Sequence, residues 1–252
     1  MIIRDCPNLR TLPKKLCCLT GLSIAGDSNI LPLSSICNNV FTLEKLSIFG
    51  LSDLTCLPDC LFQNNPKLAH FNMGYCSNLT NFASNLSGCA NSLKILEIEH
   101  CDSLIELPQG LHTLQSLERL TINGCDSLRS IPAPECQGQG LTSLRNWEFA
   151  GCHGLTNIPG EALQFCTSLE YLSVQNCNEL VVFPVDLQKL PSLICLRIHH
   201  CPKLDMMPTG LCGLTRLRQL YIGCFLEFGS FQIIFNGIEQ NLSTLIELEL
   251  FG

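Results

Sequence analysis

Charge is scarce in this chain. Only 15% of its 252 residues are Asp, Glu, Lys or Arg, and the net charge is −7. No basic stripe or lysine run is present, which argues against nucleic acid as a primary partner. Residues 1–20 lack the basic start and unbroken apolar run of a signal peptide. No apolar run approaches the length needed to span a bilayer. Motifs for chemistry are missing too. There is no GxxxxGK[ST] phosphate loop, no GxGxxG after a strand, no GxSxG and no HExxH. His199-His200-Cys201, echoed by His100-Cys101, is the nearest approach to a metal set. Metal needs three or four converging ligands, and on a strand His199 faces out while Cys201 turns in. The same divergence defeats a Cys–His nucleophile. The expectation is no enzyme, no cofactor and no metal site.

What the chain has instead is one phrase, repeated. LKILEIEHCDSLIELPQGLHTLQS (93–116) returns as LEYLSVQNCNELVVFPVDLQKLPS (169–192) and LICLRIHHCPKLDMMPTGLCGLTR (193–216). The pattern LxxLxIxxCxxLxxLPxxLxxLxx is the leucine-rich-repeat signature, with cysteine where many members carry asparagine. Its first leucine falls at Leu19, Leu43, Leu68, Leu93, Leu117, Leu144, Leu169, Leu193, Leu217 and Leu245. A partial phrase with Cys6, Leu9, Leu12 and Pro13 precedes them. Residues 1–252 therefore read as one repeat domain of about ten 24–28-residue units.

Within LxxLxI the apolar residues alternate with polar ones, the two-residue period of a strand. Successive strands stack into a parallel sheet about 4.8 Å apart. Leu96, Leu120, Trp147, Leu172 and Leu196 line one inward row, and Ile98, Ile122, Phe149, Val174 and Ile198 the next. Leu104, Leu128, Leu155, Leu180 and Leu204 turn the chain away. The Leu-Pro step (Pro13, Pro58, Pro108, Pro132, Pro159, Pro184, Pro208) fixes an extended return, because proline cannot donate to a ladder. The remaining residues suffice for a helical turn or two on the convex side. The fold class is α/β: a curved solenoid with a parallel sheet on its concave face.

There are 18 cysteines. Cys6, Cys76, Cys101, Cys125, Cys152, Cys177 and Cys201 share the slot after the strand, and Cys224 misses it by one. Stacked residues stand about one strand spacing apart, farther than the roughly 3.5–4.5 Å between Cβ atoms of a disulfide. They read as a ladder of buried free thiols. The others, including Cys37, Cys56, Cys60, Cys136, Cys195 and Cys212, follow no pairing pattern, and so many thiols suit a reducing compartment. The sequons at Asn78, Asn85 and Asn241 are short enough to arise by chance.

Low charge and positive hydropathy point to a surface that needs a neighbour. The chain opens at a strand and stops as another completes, with no polar cap at either end, so a piece of a longer protein is expected.

The outward strand residues carry the functional reading. They are Lys45, Ser47 and Phe49; His70, Asn72 and Tyr75; Glu97, Glu99 and His100; Arg119, Thr121 and Asn123; Asn146 and Glu148. Tyr171, Ser173, Gln175 and Asn176 follow, then Arg197, His199 and His200; Gln219 and Tyr221; Glu247 and Glu249. The framework barely changes between repeats, whereas these residues change every time. Lys45, His70, Tyr75, Glu97, Glu99, His100, Arg119, Glu148, Tyr171, Arg197, His199, His200 and Tyr221 are the candidate protein-binding set. An acidic stretch (Glu97, Glu99, Glu148) is expected near a basic one (Arg197, His199, His200).

The phrase, as in LERLTINGCDSLRSIP and LICLRIHHCPKLDMMPTGLCGLTRL, resembles the C-terminal repeats of plant intracellular nucleotide-binding leucine-rich-repeat disease-resistance receptors, in particular the coiled-coil class. The resemblance covers essentially the whole chain. It implies a cytoplasmic recognition module that senses a pathogen effector or a modified host protein and contacts an upstream nucleotide-binding domain. Residues 19–42, which lack the usual return segment, Phe82-Ala83 in place of Leu-Pro, and the insertion at 132–143 depart from the pattern. Two other readings stay open: a repeat adaptor that selects substrates for a ubiquitin ligase, and an extracellular ligand-binding protein.

Overall fold

A computed structural model describes the chain except residues 7, 10, 13–15, 27–32, 34, 35, 37, 38, 59, 83–85, 133–139, 159, 184, 206, 207 and 224–243, and the side chain of residue 162. Thirteen strands run through the described residues: β1 Ile2–Arg4, β2 Gly21–Ala25, β3 Lys45–Phe49, β4 Cys56–Leu57, β5 His70–Gly74, β6 Asn81–Phe82, β7 Ile95–Glu99, β8 Arg119–Asn123, β9 Asn146–Ala150, β10 Tyr171–Gln175, β11 Cys195–His199, β12 Gln219–Gly223 and β13 Glu247–Phe251. Eleven of them form one parallel sheet in strict chain order, β1-β2-β3-β5-β7-β8-β9-β10-β11-β12-β13. From β2 onward each strand of this sheet begins two residues after a phrase-leading leucine.

The reason is the alternation itself. In β7 through β11 the second and fourth residues of each strand are buried and stack in register, as in Leu96–Leu120–Trp147–Leu172–Leu196. Each of these side chains is at most 1% exposed. Leu104, Leu128, Leu155, Leu180 and Leu204 close the core behind them. Burying one such leucine stabilises by roughly 2 kcal/mol, and every repeat contributes several.

A second, thinner ladder lines the return segments. It begins as the β4–β6 pair and continues as single bridges, Glu106 to Ser130, Ser130 to Asn157 and Asn157 to Val182. Glu106 and Ser130 stand two residues before Pro108 and Pro132. The proline stops the ladder after one step because it has no N–H to give. The calls at Pro13, Pro159 and Pro184 lie outside the described residues. The convex side carries single turns at Cys60–Gln63, Leu86–Cys89, Leu111–Thr113, Gly160–Leu163, Leu187–Lys189 and Leu211–Gly213.

The cysteine slot is a thiol ladder. Cys76, Cys101, Cys125, Cys152, Cys177 and Cys201 are buried and free, while Cys6 is half-buried. Each thiol donates to the carbonyl two residues back, from Cys76 to Gly74 at 3.4 Å through Cys177 to Gln175 at 3.5 Å. Burial pushes Cys125 and Cys152 up to about 12. Cys101 and Cys177 are raised further by the neighbouring thiols of Cys76 and Cys201, and then by burial. Cys60 departs from the free-thiol reading: it is disulfide-bonded, and it stands outside the ladder at the start of a helical turn. Cys37, Cys136, Cys224, the sequons at Asn85 and Asn241, and most of the insertion lie outside the described residues.

Candidate protein-recognition face

One backbone feature sets how the sheet face ends. Strict alternation would turn the residue after the strand inward and the cysteine outward. The structure reverses this with one left-handed residue. Asp5, Gly26, Gly50, Tyr75, His100, Gly124, Gly151, Asn176 and His200 all have positive φ. Each flips the phase by one, and wherever the next residue is described its side chain turns inward. Glycine, asparagine and aspartate suit that conformation. Tyr75, His100 and His200 do not, yet adopt φ of 55°, 50° and 55°.

This corrects the expectation for three candidates. Tyr75, His100 and His200 are not strand residues. They stand one step past β5, β7 and β11, on a rim along the carboxyl ends of the strands. Tyr75 and His100 stack there with ring centroids 4.9 Å apart. His199 and His200 meet Nδ1 to Nδ1 at 2.7 Å, and the Phe251 ring lies 4.6 Å from His199 and 5.3 Å from His200. That contact requires at least one neutral imidazole. Burial, His200 and Arg197 together hold His199 below its ordinary value. Phe251 escaped the sequence reading, although LELF aligns with LRIH and marks the position.

The face itself carries three rows. The middle row follows the register Ser23, Ser47, Asn72, Glu97, Thr121, Glu148, Ser173, Arg197, Tyr221, Glu249. Lys45 is exposed on β3, beside His70 on β5. Glu97 reaches Arg119 at 3.9 Å. Glu99 stands half-exposed in the outer row.

Tyr171, Arg197 and Tyr221 are brought together. The guanidinium lies 4.3 Å from the Tyr221 ring centroid and 5.5 Å from that of Tyr171. Tyr221 is consequently 6% exposed, a covered wall instead of the free surface expected. Cys195, which the repeat pattern leaves unassigned, is buried in the same face beside Tyr171 and Gln219. The acidic and basic stretches do not merge, since Glu148 on β9 and Arg197 on β11 have Ser173 between them.

The face also holds unmet hydrogen-bonding capacity. Asn72 Oδ1, Asn123 Oδ1, Asn146 Oδ1, Ser173 Oγ and Arg197 Nε are buried atoms with no hydrogen-bond partner among the described residues. Four of these residues lie on consecutive strands, β8 to β11.

No protein-family model matches the chain. Among solved structures, the leucine-rich-repeat domain of the type III effector XopL aligns with a TM-score of 0.55 at 19% identity, covering 81% of this chain and 75% of that one. The fold is a leucine-rich-repeat solenoid. Sequence relatives are plant disease-resistance proteins. TMV resistance protein N of Nicotiana glutinosa is 30% identical over 177 residues, 70% of this chain and 15% of the relative. Disease resistance protein RPS4B of Arabidopsis thaliana is 25% identical over 217 residues, 82% and 17%. RPP4 of the same plant is 28% identical over 193 residues, 60% and 16%. The solenoid thus spans less than a fifth of the length of these relatives. They are receptors of the TIR class, so they lend the coiled-coil class no support. Among the described residues, no helix is long and apolar enough to cross a membrane.

Proposed function

We propose that the solenoid is the non-catalytic recognition module of a plant immune receptor of the TIR class. Its sheet face senses a pathogen effector or a host protein that an effector has modified. The observation that carries this reading is the contrast within each repeat. Inward positions are near-constant and fully buried, while outward positions differ from repeat to repeat. The relatives supply the context of plant defence.

In the complete receptor the solenoid contacts a nucleotide-binding domain in the cytoplasm. An effector on the face favours the active arrangement by binding it more tightly than the autoinhibited one. The test is charge reversal in the full-length receptor: Glu97→Lys, Glu99→Lys and Arg197→Glu, each scored for pathogen response and for protein abundance. The expected result is an altered response at unchanged abundance. Parallel loss of both would show that these residues serve folding.

A further inference from the structure

We propose that Tyr171, Arg197 and Tyr221 form a carboxylate socket that takes an aspartate or glutamate side chain of a bound polypeptide. The inference rests on the reading of the sheet face as the recognition surface and specifies the partner's chemistry there. Three observations carry it.

First, Arg197 makes no ion pair among the described residues, although Arg119, one face position away from Glu97, does. Its guanidinium instead lies over two tyrosine rings, 4.3 Å from the Tyr221 centroid and 5.5 Å from that of Tyr171. That arrangement fixes the planar fork in advance, so less side-chain entropy is lost when a carboxylate pairs with its edge. Tyrosine and arginine packed together are also the residue types that anchor interfaces.

Second, two hydrogen-bond donors are stranded at this spot. Arg197 Nε and Ser173 Oγ are both buried and within hydrogen-bonding distance and angle of no acceptor among the described residues, with only the Tyr171 hydroxyl near Ser173 and the Tyr221 hydroxyl and Cys195 thiol near Arg197, and Ser173 is 0% exposed. The two residues are register neighbours on β10 and β11. A buried donor without an acceptor is unfavourable, and a carboxylate, an acceptor at both oxygens, relieves it when the tyrosine cover shifts.

Third, the surroundings choose among anions. Glu148, Glu247 and Glu249 flank the cluster on the same face. They repel a doubly charged phosphate more than a singly charged carboxylate. Glu148 makes no ion pair among the described residues and stands two strand spacings, about 10 Å, away. A polypeptide can set a basic group there while its acid sits over Arg197. A free small anion cannot.

The probe is a phage-displayed library of random peptides, selected on the complete 252-residue chain. Recovered peptides are then measured against the parent chain, Arg197→Gln and Arg197→Lys, with thermal midpoints recorded as a check on folding. The expected result is a shared acidic residue in the peptides. Changing it to its amide, or Arg197 to Gln, weakens binding on the order of tenfold. Both changes together weaken it no more than either alone. Arg197→Lys recovers only part, because a point charge lacks the fork. Peptides without a shared acid, or an acid whose loss costs as much on Arg197→Gln as on the parent chain, overturn the socket. Peptides that ignore Arg197 but lose affinity with Glu97→Lys or Lys45→Glu overturn the socket alone and leave the face reading standing. Peptides indifferent to every face variant overturn both, and a selection that returns none overturns the socket.

Discussion

Cys89, Cys125, Cys152 and Cys166 each hold their proton to about 12, against an ordinary value of 9.0, because burial penalises the thiolate. The unfolded chain releases those protons first. Above pH 9 it therefore binds fewer protons than the folded one, and stability falls as pH rises. The loss is nil below the unfolded value and grows by about 1.4 kcal/mol per pH unit per thiol until the folded value is reached. Several thiols titrating together predict alkaline unfolding that starts near pH 9 and is steep. Thermal midpoints taken from pH 7 to 11 check this, and Cys152→Ala should flatten the slope while lowering stability by about 1 kcal/mol at pH 7. The left-handed rim makes a second residue-scale prediction. His100→Gly removes a strained conformation worth about 1–2 kcal/mol but adds backbone freedom to the unfolded chain, worth about 0.5–1 kcal/mol. Urea melts should show stability unchanged or up by under about 1 kcal/mol, despite the lost stack with Tyr75. The thiol slot was legible in the sequence because it repeats without exception across the middle of the chain. The left-handed position before it was written there too, as Gly124, Gly151, Asn176 and Asp5, but Tyr75, His100 and His200 hid it. Their side chains read as strand faces, and strain is a property of the backbone.

At the scale of elements, strands were readable and their seams were not. Alternation alone placed Leu96 and Ile98 inward, since a one-residue slip would expose both. The thin ladder through Glu106, Ser130 and Asn157 has no sequence signature, because a single bridge imposes no period. Asn65 is a similar case. It is 0% exposed, its Oδ1 accepts from the Leu43 backbone N–H at 3.1 Å, and its Nδ2 donates to the Leu61 carbonyl at 3.0 Å. It thereby ties a helical turn to the start of its own repeat. Asn65→Ala strands both backbone groups, and the expected loss is about 2–3 kcal/mol by urea denaturation. By contrast, the inter-repeat ion pairs Lys94–Glu118 and Arg145–Glu170 are exposed, their side chains 41% to 61% open to solvent. Removing either should move stability by less than about 1 kcal/mol.

At the scale of the whole molecule, the sequence displayed which residues face out but not how they group. Tyr171, Arg197 and Tyr221 stand 26 and 24 residues apart in the chain, so nothing local announces that they pack together; register across β10, β11 and β12 does. The same register separates Glu148 from Arg197. A solenoid that holds a constant core and varies its face is suited to recognition, and plant defence is the setting we propose for it from its relatives. The most direct test of that account is to map the 5′ end of the native transcript and translate what lies ahead of Met1. The account predicts a continuous reading frame that carries a phosphate-binding loop and, before it, a TIR domain. A transcript that starts at Met1 would contradict it, leaving a repeat protein with no switch for its face to control.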